Sequence, residues 1–304
     1  MKWIIQTFYL VACIAVVYQC GGNEFDPKSL LNSYRVIAVQ ASPPSIGITE
    51  FTKTIQIKLW DYHPNDIKMG QDRPKTQYEW SLCLFSVGAL RNYECLVDEI
   101  PLESATDLTE FELSPIMLFL QAQMDGLLDG LDMGEGDMND DMMMEESELS
   151  TIDIYLKLTI TVAGETPQQT VKKLTVHFDD RVPQNNNPTI DGIEFAVNEM
   201  PIVAESEINL KALIDAQSTE TYLAIDPTSN EGEEREEELI LAWFSTTGTF
   251  EPAVSLLMDP KSVLKIPEKE EEETLGTNRI FLTVRDGRGG VDVQFIDFNV
   301  EASE

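Results

Sequence analysis

The sequence predicts an all-β protein with two antiparallel β-sandwich domains in tandem, placed after a signal peptide. Three features carry that expectation. Apolar residues alternate over short stretches from about Ser33 onward, a Pro/Asn-rich segment interrupts the alternation midway, and the first twenty residues have the layout of an export signal. Alternation is the period of a strand with one buried face, whereas an amphipathic helix repeats its apolar positions every three or four residues.

The strands follow in order. Tyr34, Val36 and Ala38 oppose Arg35, Ile37 and Val39; Ile55, Ile57 and Leu59 alternate with Gln56 and Lys58; Tyr78, Trp80 and Leu82 form a third run. Ile152 to Val162 alternates strictly, and Val171, Leu174, Val176 and Phe178 follow with a shift of one residue. In Arg181-Val182-Pro183-Gln184-Asn185-Asn186-Asn187-Pro188 the prolines lack an N–H and the asparagines favour turns, so the segment can neither continue a ladder nor pack a core, and it reads as a linker. Beyond it, Ile190 to Val197, Ile208 to Ile214, Leu239 to Ser245, Val263 to Ile266, Ile280 to Val284 and Val291 to Phe295 are the strands of the second half. Phe298 and Val300 lie on the opposite phase from Val291 to Phe295, which a β-bulge near Ile296-Asp297 would explain.

The division that results is 1–19 for the signal peptide, 20–32 for an N-terminal tether, 33–182 for the first sandwich with an acidic, Met-rich insertion at 114–150, 183–189 for the linker, and 190–304 for the second sandwich. Each half is long enough to bury its own core. Each also repeats one plan: an opening strand, a Pro-containing turn (Pro43-Pro44; Pro201), an alternating strand, then a strand carrying Trp80 or Trp243. A Trp in that place plugs the core between two sheets. With Arg285-Asp286-Gly287-Arg288-Gly289-Gly290 closing a hairpin, the plan predicts immunoglobulin-like sandwiches rather than parallel α/β units, which would need amphipathic helices between strands.

The N-terminus carries one Lys, an apolar run from Ile4 to Val17 broken by Gln6 and Thr7, and then Tyr18-Gln19-Cys20-Gly21-Gly22. The run falls short of the roughly 20 apolar residues that span a bilayer, so a cleaved signal is expected. Cys20 closes a stretch resembling a bacterial lipoprotein box, although Tyr18 is bulky and Gln19 stands where a small residue is usual. Lipidation of Cys20 is the leading expectation, and cleavage without lipid is the alternative. Cys13 lies inside the removed segment, so a lipid on Cys20 leaves only Cys83 and Cys95, an even pair able to form a disulfide in an oxidising compartment. Two buried free thiols are the other reading of that pair.

Acidic residues number 54 against 21 basic, a formal net charge of -33. That balance excludes nucleic acid as a partner, because phosphate contacts need Lys and Arg clusters. The runs Glu231 to Glu238 and Glu268 to Glu273 read as solvated loops. Within the insertion, Asp137, Asn139, Asp141, Glu145 and Glu148 reproduce the ligand spacing of a calcium-binding EF-hand loop. Met142, however, stands where Gly is needed for the sharp turn, so the spacing is ascribed to composition and no metal or cofactor is assigned. Met138, Met142, Met143 and Met144 are likewise ascribed to low complexity rather than to a Cu(I) site.

Enzyme motifs are missing: no His-Glu-x-x-His, nucleophile elbow, phosphate-binding loop or dinucleotide fingerprint occurs. The two histidines, His63 before Pro64 and His177 on the polar phase of its strand, are expected at the surface. Paired carboxylates remain the one catalytic arrangement that composition leaves open.

A family resemblance rests on particular stretches. Cys20, Tyr34 to Pro44, Tyr78-Glu79-Trp80-Ser81-Leu82-Cys83 and Tyr93-Glu94-Cys95 resemble lipoproteins of myxobacteria and related predatory bacteria, and Leu282 to Asp292 is similar to the closing hairpin of PKD-like and other immunoglobulin-like surface repeats. The resemblance implies an envelope lipoprotein and transfers no catalytic residue. The expected role is therefore structural or adhesive, without catalysis, at the bacterial envelope, with the outer membrane first and secretion or the periplasm as alternatives. The membrane would be met through the N-terminal lipid, and the other partner would be an extracytoplasmic protein or glycan. The alternatives are a calcium-dependent adhesion or stabilisation module using acidic loops, and a carboxylate-based extracytoplasmic hydrolase.

Overall fold

The structure, a computed structural model, describes residues 28–47, 50, 52–84, 86, 93–106, 108–114, 151–177, 182–196, 202–225, 232–268 and 275–302. The signal segment, Cys20, most of the acidic insertion with Asp137, Asn139, Asp141, Glu145 and Glu148, and Phe178 lie outside the described residues.

The first sandwich is built from β1 (Arg35–Ser42), β2 (Ser45–Gly47), β3 (Ile55–Tyr62), β4 (Thr76–Cys83), β5 (Ile100–Thr106), β6 (Glu110–Leu113), β7 (Thr151–Val162) and β8 (Gln168–His177). One sheet runs β1-β3-β6 and the other β2-β8-β7-β4-β5. All pairs are antiparallel except β2 with β8. Pro43 and Pro44 separate β1 from β2, and their missing donors mark where the chain leaves one sheet for the other. The alternating faces of β3, β4 and β7 supply the core, with Ile55, Ile57, Leu59, Tyr78, Trp80, Leu156, Leu158 and Ile160 all buried. Trp80 packs on Phe111 at 5.0 Å between centroids, and its indole N–H donates to the Leu108 carbonyl at 3.3 Å.

The second sandwich contains β9 (Ile190–Ala196), β10 (Glu207–Ile214), β11 (Thr221–Ile225), β12 (Gly232–Glu236), β13 (Ile240–Ser245), β14 (Thr249–Glu251), β15 (Val254–Leu256), β16 (Lys261–Lys265), β17 (Gly276–Arg285) and β18 (Val291–Val300). Its sheets run β14-β16-β10-β9 and β15-β13-β17-β18, and β11 and β12 form a separate hairpin. In both sandwiches the Trp strand pairs with the penultimate strand, which pairs with the last, while the opposite sheet joins the opening strands. That is the immunoglobulin-like order. Trp243 occupies the place of Trp80, packing on Phe250 and donating to Ser255 Oγ at 3.1 Å.

Two expectations fail, the bulge and the acidic loop at 232–236, and the linker is held more firmly than its composition suggests. No bulge exists near Ile296-Asp297, since β17 and β18 pair without a register shift from Gly276↔Val300 to Arg285↔Val291. The phase change arises because β18 is buried on different faces along its length: Phe298 and Val300 face their own core, whereas Val291 and Val293 face the first sandwich. The linker is also not a loose spacer. Asn185 is 1% exposed, its N–H donates to Ser45 Oγ, and its amide donates to Asp286 Oδ2 at 2.8 Å; Asn187 donates to the Ala41 carbonyl and accepts from the Val291 N–H. Finally, the acidic stretch 232–236 is a strand, β12, exposed along its whole length but paired with β11.

Between the sandwiches lies a third apolar cluster. Leu31, Ile37, Ala38 and Tyr62 meet Phe281, Val291 and Val293, with Trp60, Ile67 and Phe244 at the margin. Tyr62 and Phe281 are edge to face at 5.9 Å. Ahead of β1, the Leu31 N–H donates to the Ser245 carbonyl at 2.7 Å and the Ser245 N–H to the Ser29 carbonyl at 2.9 Å, so the described end of the tether docks on the second domain. An apolar seam of this kind resembles a core more than a transient domain contact. Phe281→Ala is expected to lower the unfolding free energy by about 3 kcal/mol and to split one calorimetric transition into two, one per sandwich; a single transition with an unchanged midpoint would show that the seam does not couple the domains.

Candidate functional site

The seam opens on one side into a cleft of about 420 Å³, lined by Val36–Val39 of β1, Thr170–Lys173 of β8, and Arg285, Gly287, Gly289, Gly290 and Val291 of the hairpin between β17 and β18. Its existence follows from strand pairing. Strand β2 covers the outer edge of β8 only at Thr175–His177, so the neighbouring part of β8 has no strand partner on that side. There Lys172 shares the inward parity of the buried Leu174 and Val176. Its ammonium therefore enters the gap between the sheets, where it donates to the Gly289 carbonyl. Burial pushes its pKa down to about 8, with Asp286 pulling it upward and Arg285 adding to the depression.

The hairpin is shaped by Asp286. Its Oδ1 accepts from the N–H groups of Arg288 and Gly290 at 2.7 and 2.9 Å, and its Oδ2 from Asn185. A Cβ on Gly290 would lie 2.1 Å from Asp286 Oδ2, so only glycine permits this approach. Arg288 anchors the far side through Glu237 at 2.7 Å, Glu220 at 3.4 Å and the Tyr222 ring at 4.4 Å. Burial raises the Glu237 pKa against the pull of Arg288. The flanking cations thus divide into two kinds. Arg288 is paired, and Lys173 pairs with Asp153 at 3.3 Å, whereas among the described residues Lys172 and Arg285 have no carboxylate partner.

A second polar cluster is built around Asp61 of β3, the cross-strand partner of Val36 on β1. Asp61 Oδ2 accepts from Tyr34 Oη at 2.8 Å, Tyr78 Oη at 2.7 Å and Arg73 Nη2 at 2.6 Å, with its side chain 5% exposed. Burial, then the Asp61 charge, holds both phenols above their ordinary pKa. The Arg73 pKa is lowered by burial but raised on balance by its bonds to Asp61. One carboxylate oxygen shared by three donors is a fastener, not a general base awaiting a substrate.

The histidines are not surface residues. His63 is buried and caps a short 3-10 turn, Pro64–Asp66, its Nδ1 accepting from the Asn65 N–H at 3.0 Å. His177 is half-buried, and its Nδ1 lacks a hydrogen-bond partner. Burial lowers both pKa values, helped at His177 by Arg288. Cys83, buried at the end of β4, and Cys95 form a disulfide that closes the connection toward β5 and does not cross between sheets. Among the described residues no group of His, Cys, Asp or Glu is arranged to hold a metal ion.

Sequence reasoning missed Lys172, Arg285 and Asp61. For Lys172 a signal existed, since it falls on the apolar phase of its strand. Asp61 gave none, because its three donors come from distant positions.

No family model matches the chain, and no curated protein matches it. Solved structures give distant likenesses. The N-terminal two-immunoglobulin module of the Drosophila receptor protein tyrosine phosphatase DLAR is 9% identical with a TM-score of 0.23, covering 90% of this chain and 100% of that one. The D00-D0 domain of intimin is 8% identical with a TM-score of 0.21, covering 88% and 98%. Red sea bream transglutaminase is 9% identical with a TM-score of 0.23, covering 90% of this chain and 32% of that enzyme. The fold assignment rests on strand order rather than on these likenesses.

Lys172 makes stability depend on pH with a definite sign. Its native pKa lies below the unfolded value, so stability rises from about pH 8 toward pH 10, where the native amine has released its proton and the unfolded one has not. Above about pH 10 stability falls, because Tyr34 and Tyr78 ionise in the unfolded chain first. Lys172→Met is expected to remove the rise and to stabilise the protein at neutral pH by about 2 kcal/mol in denaturant titrations; a rise that survives the substitution would assign it elsewhere. Asp61→Asn leaves Arg73 only the more distant Asp66 carboxylate at 3.9 Å and is expected to cost about 2 kcal/mol by the same measurement.

Proposed function

We propose that the protein is a non-catalytic binding or adhesion module of the bacterial envelope, anchored through lipid on Cys20 and displayed outside the cytoplasm, with the outer membrane as its site. The observation that carries this reading is the fused pair of sandwiches: a continuous apolar seam and a hydrogen-bonded linker make one rigid body, with a cleft where the two halves meet. Rigid placement of loops and clefts lowers the ordering cost of binding. The polar clusters support the same reading, since Asp61, Asp286 and Glu237 each spend their oxygens on structural donors.

The partner fitting this role is an extracytoplasmic protein or glycan. The acidic surface disfavours nucleic acid and anionic lipid headgroups as the recognised surface. Expression in a Gram-negative host, followed by envelope fractionation and mass spectrometry of the mature N-terminus, tests the anchor. The expected result is a lipid-modified Cys20 in the membrane fraction and release of Cys20→Ser into the soluble fraction. A membrane-bound Cys20→Ser protein with an unmodified N-terminus would overturn the anchoring.

A further inference from the structure

We propose that the cleft between the two domains is a binding site for an organic carboxylate with an apolar body, held by Lys172 from the first domain and Arg285 from the second. This rests on the reading of the chain as a binding module and names the chemistry of its ligand.

The charge pattern is the first argument. Acidic residues outnumber basic ones 54 to 21, so a cation finds an anionic neighbour easily. Lys173, Arg279 and Arg288 all do so, with Asp153, Asp297 and Glu237. Among the described residues Arg285 has no such partner, and the single hydrogen bond of Lys172 goes to a carbonyl. Two like charges thus line one cavity, where the nearby Asp286 carboxylate offsets their repulsion at Lys172 but has its own oxygens already spent on Arg288, Gly290 and Asn185. An inward lysine can also blunt a free strand edge, as Lys172 does on β8; Arg285, in a fully paired strand, has no such duty.

The kind of anion follows from the hairpin. A nest of backbone N–H groups would suit phosphate, but the N–H groups of Arg288 and Gly290 are already taken by Asp286. What remains is one guanidinium fork and one ammonium, which match the two oxygens of a carboxylate and, with the Asp286 charge beside them, its single charge. The rest of the wall mixes apolar side chains, Val36, Ile37, Val39, Val171 and Val291, with Thr170, Lys173 and the glycine backbone of the hairpin, so an apolar body finds valine and isoleucine contacts on one part of it. At about 420 Å³ the cleft exceeds the size of a bare anion and falls within the range of small-ligand pockets.

Occupancy then couples to protons. The charged groups around Lys172 are Lys173 on its own strand and Arg285, Asp286 and Arg288 on the hairpin, while the facing Val36–Val39 segment of β1 contributes none. A carboxylate favours the ammonium form, so binding takes up a proton and weakens as pH rises through about 8.

The test is an amide NMR titration of the full chain with hexanoate, acetate, inorganic phosphate and hexan-1-ol. Expected are saturable shifts with hexanoate at Ile37, Lys172 and Gly289, weaker binding of acetate, and none with hexanol. Affinity should fall roughly tenfold in Arg285→Gln and in Lys172→Gln, and should be lower at pH 9.5 than at pH 7. The spectrum outside the cleft reports whether each variant stays folded, and Arg285 is exposed enough to be replaced without disturbing the core. No saturable shift, equal binding by phosphate or hexanol, or affinity unmoved in both variants would each overturn the assignment. Hexanoate binding that fails while the intact protein still adheres to cell surfaces removes the carboxylate site and leaves the binding module standing; loss of adhesion with hexanoate binding intact does the reverse.

Discussion

Tyr62 meets Phe281 edge to face where the two sandwiches join, and the residues around that contact are as dry as either core. Parts of β1 and β3, at Ile37, Ala38 and Tyr62, turn their outer faces toward Phe281, Val291 and Val293 of β17 and β18, and those stretches are thereby buried on two sides. A sheet buried on both faces loses the freedom of a surface sheet to slide or breathe, because each register shift would strip two apolar sets at once. The seam therefore fixes the hairpin that closes the second domain, and through it the shape of the cleft.

Around the seam the polar contacts divide labour. Asn185 and Asn187 tie the connecting segment to both domains, so its lack of regular structure does not translate into looseness. Asp286 organises its turn from within, while Arg288 reaches out to Glu220 and Glu237 near the exposed β11-β12 hairpin. Beside the cleft, Asp286 and Glu237 are committed to geometry. What is left without a carboxylate partner there is positive, in a chain with a large acidic excess.

Much of the fold was legible because its strands are short, antiparallel and buried on one face, which writes a period of two into the sequence. Ile55-Ile57-Leu59, Tyr78-Trp80-Leu82 and Ile208-Leu210-Ala212 are read directly, and the two Trp residues mark equivalent places in the two cores. Legibility ends where a second partner covers the outer face. Val291 and Val293 against Phe298 and Val300 looked like a bulge because one strand answers to two neighbours at different points along its length. The glutamates of β12 conceal a strand that buries nothing, since its backbone pairing leaves no apolar trace. The cleft was the least legible feature: its two cations are 113 positions apart in the chain, and only folding sets them across one cavity.

The docking of Ser29 and Leu31 on Ser245 has a consequence for posture. The chain enters the molecule at its waist rather than at one end. Cys20 and Lys28 are eight positions apart, a reach of at most about 30 Å when fully extended. A lipid at that cysteine would leash the protein by its middle, like a crossbar hung from a short cord, with its acidic surfaces pressing away from anionic headgroups. Such a tether would hold the mouth of the cleft at a nearly constant height above the membrane, whichever sandwich swings closer.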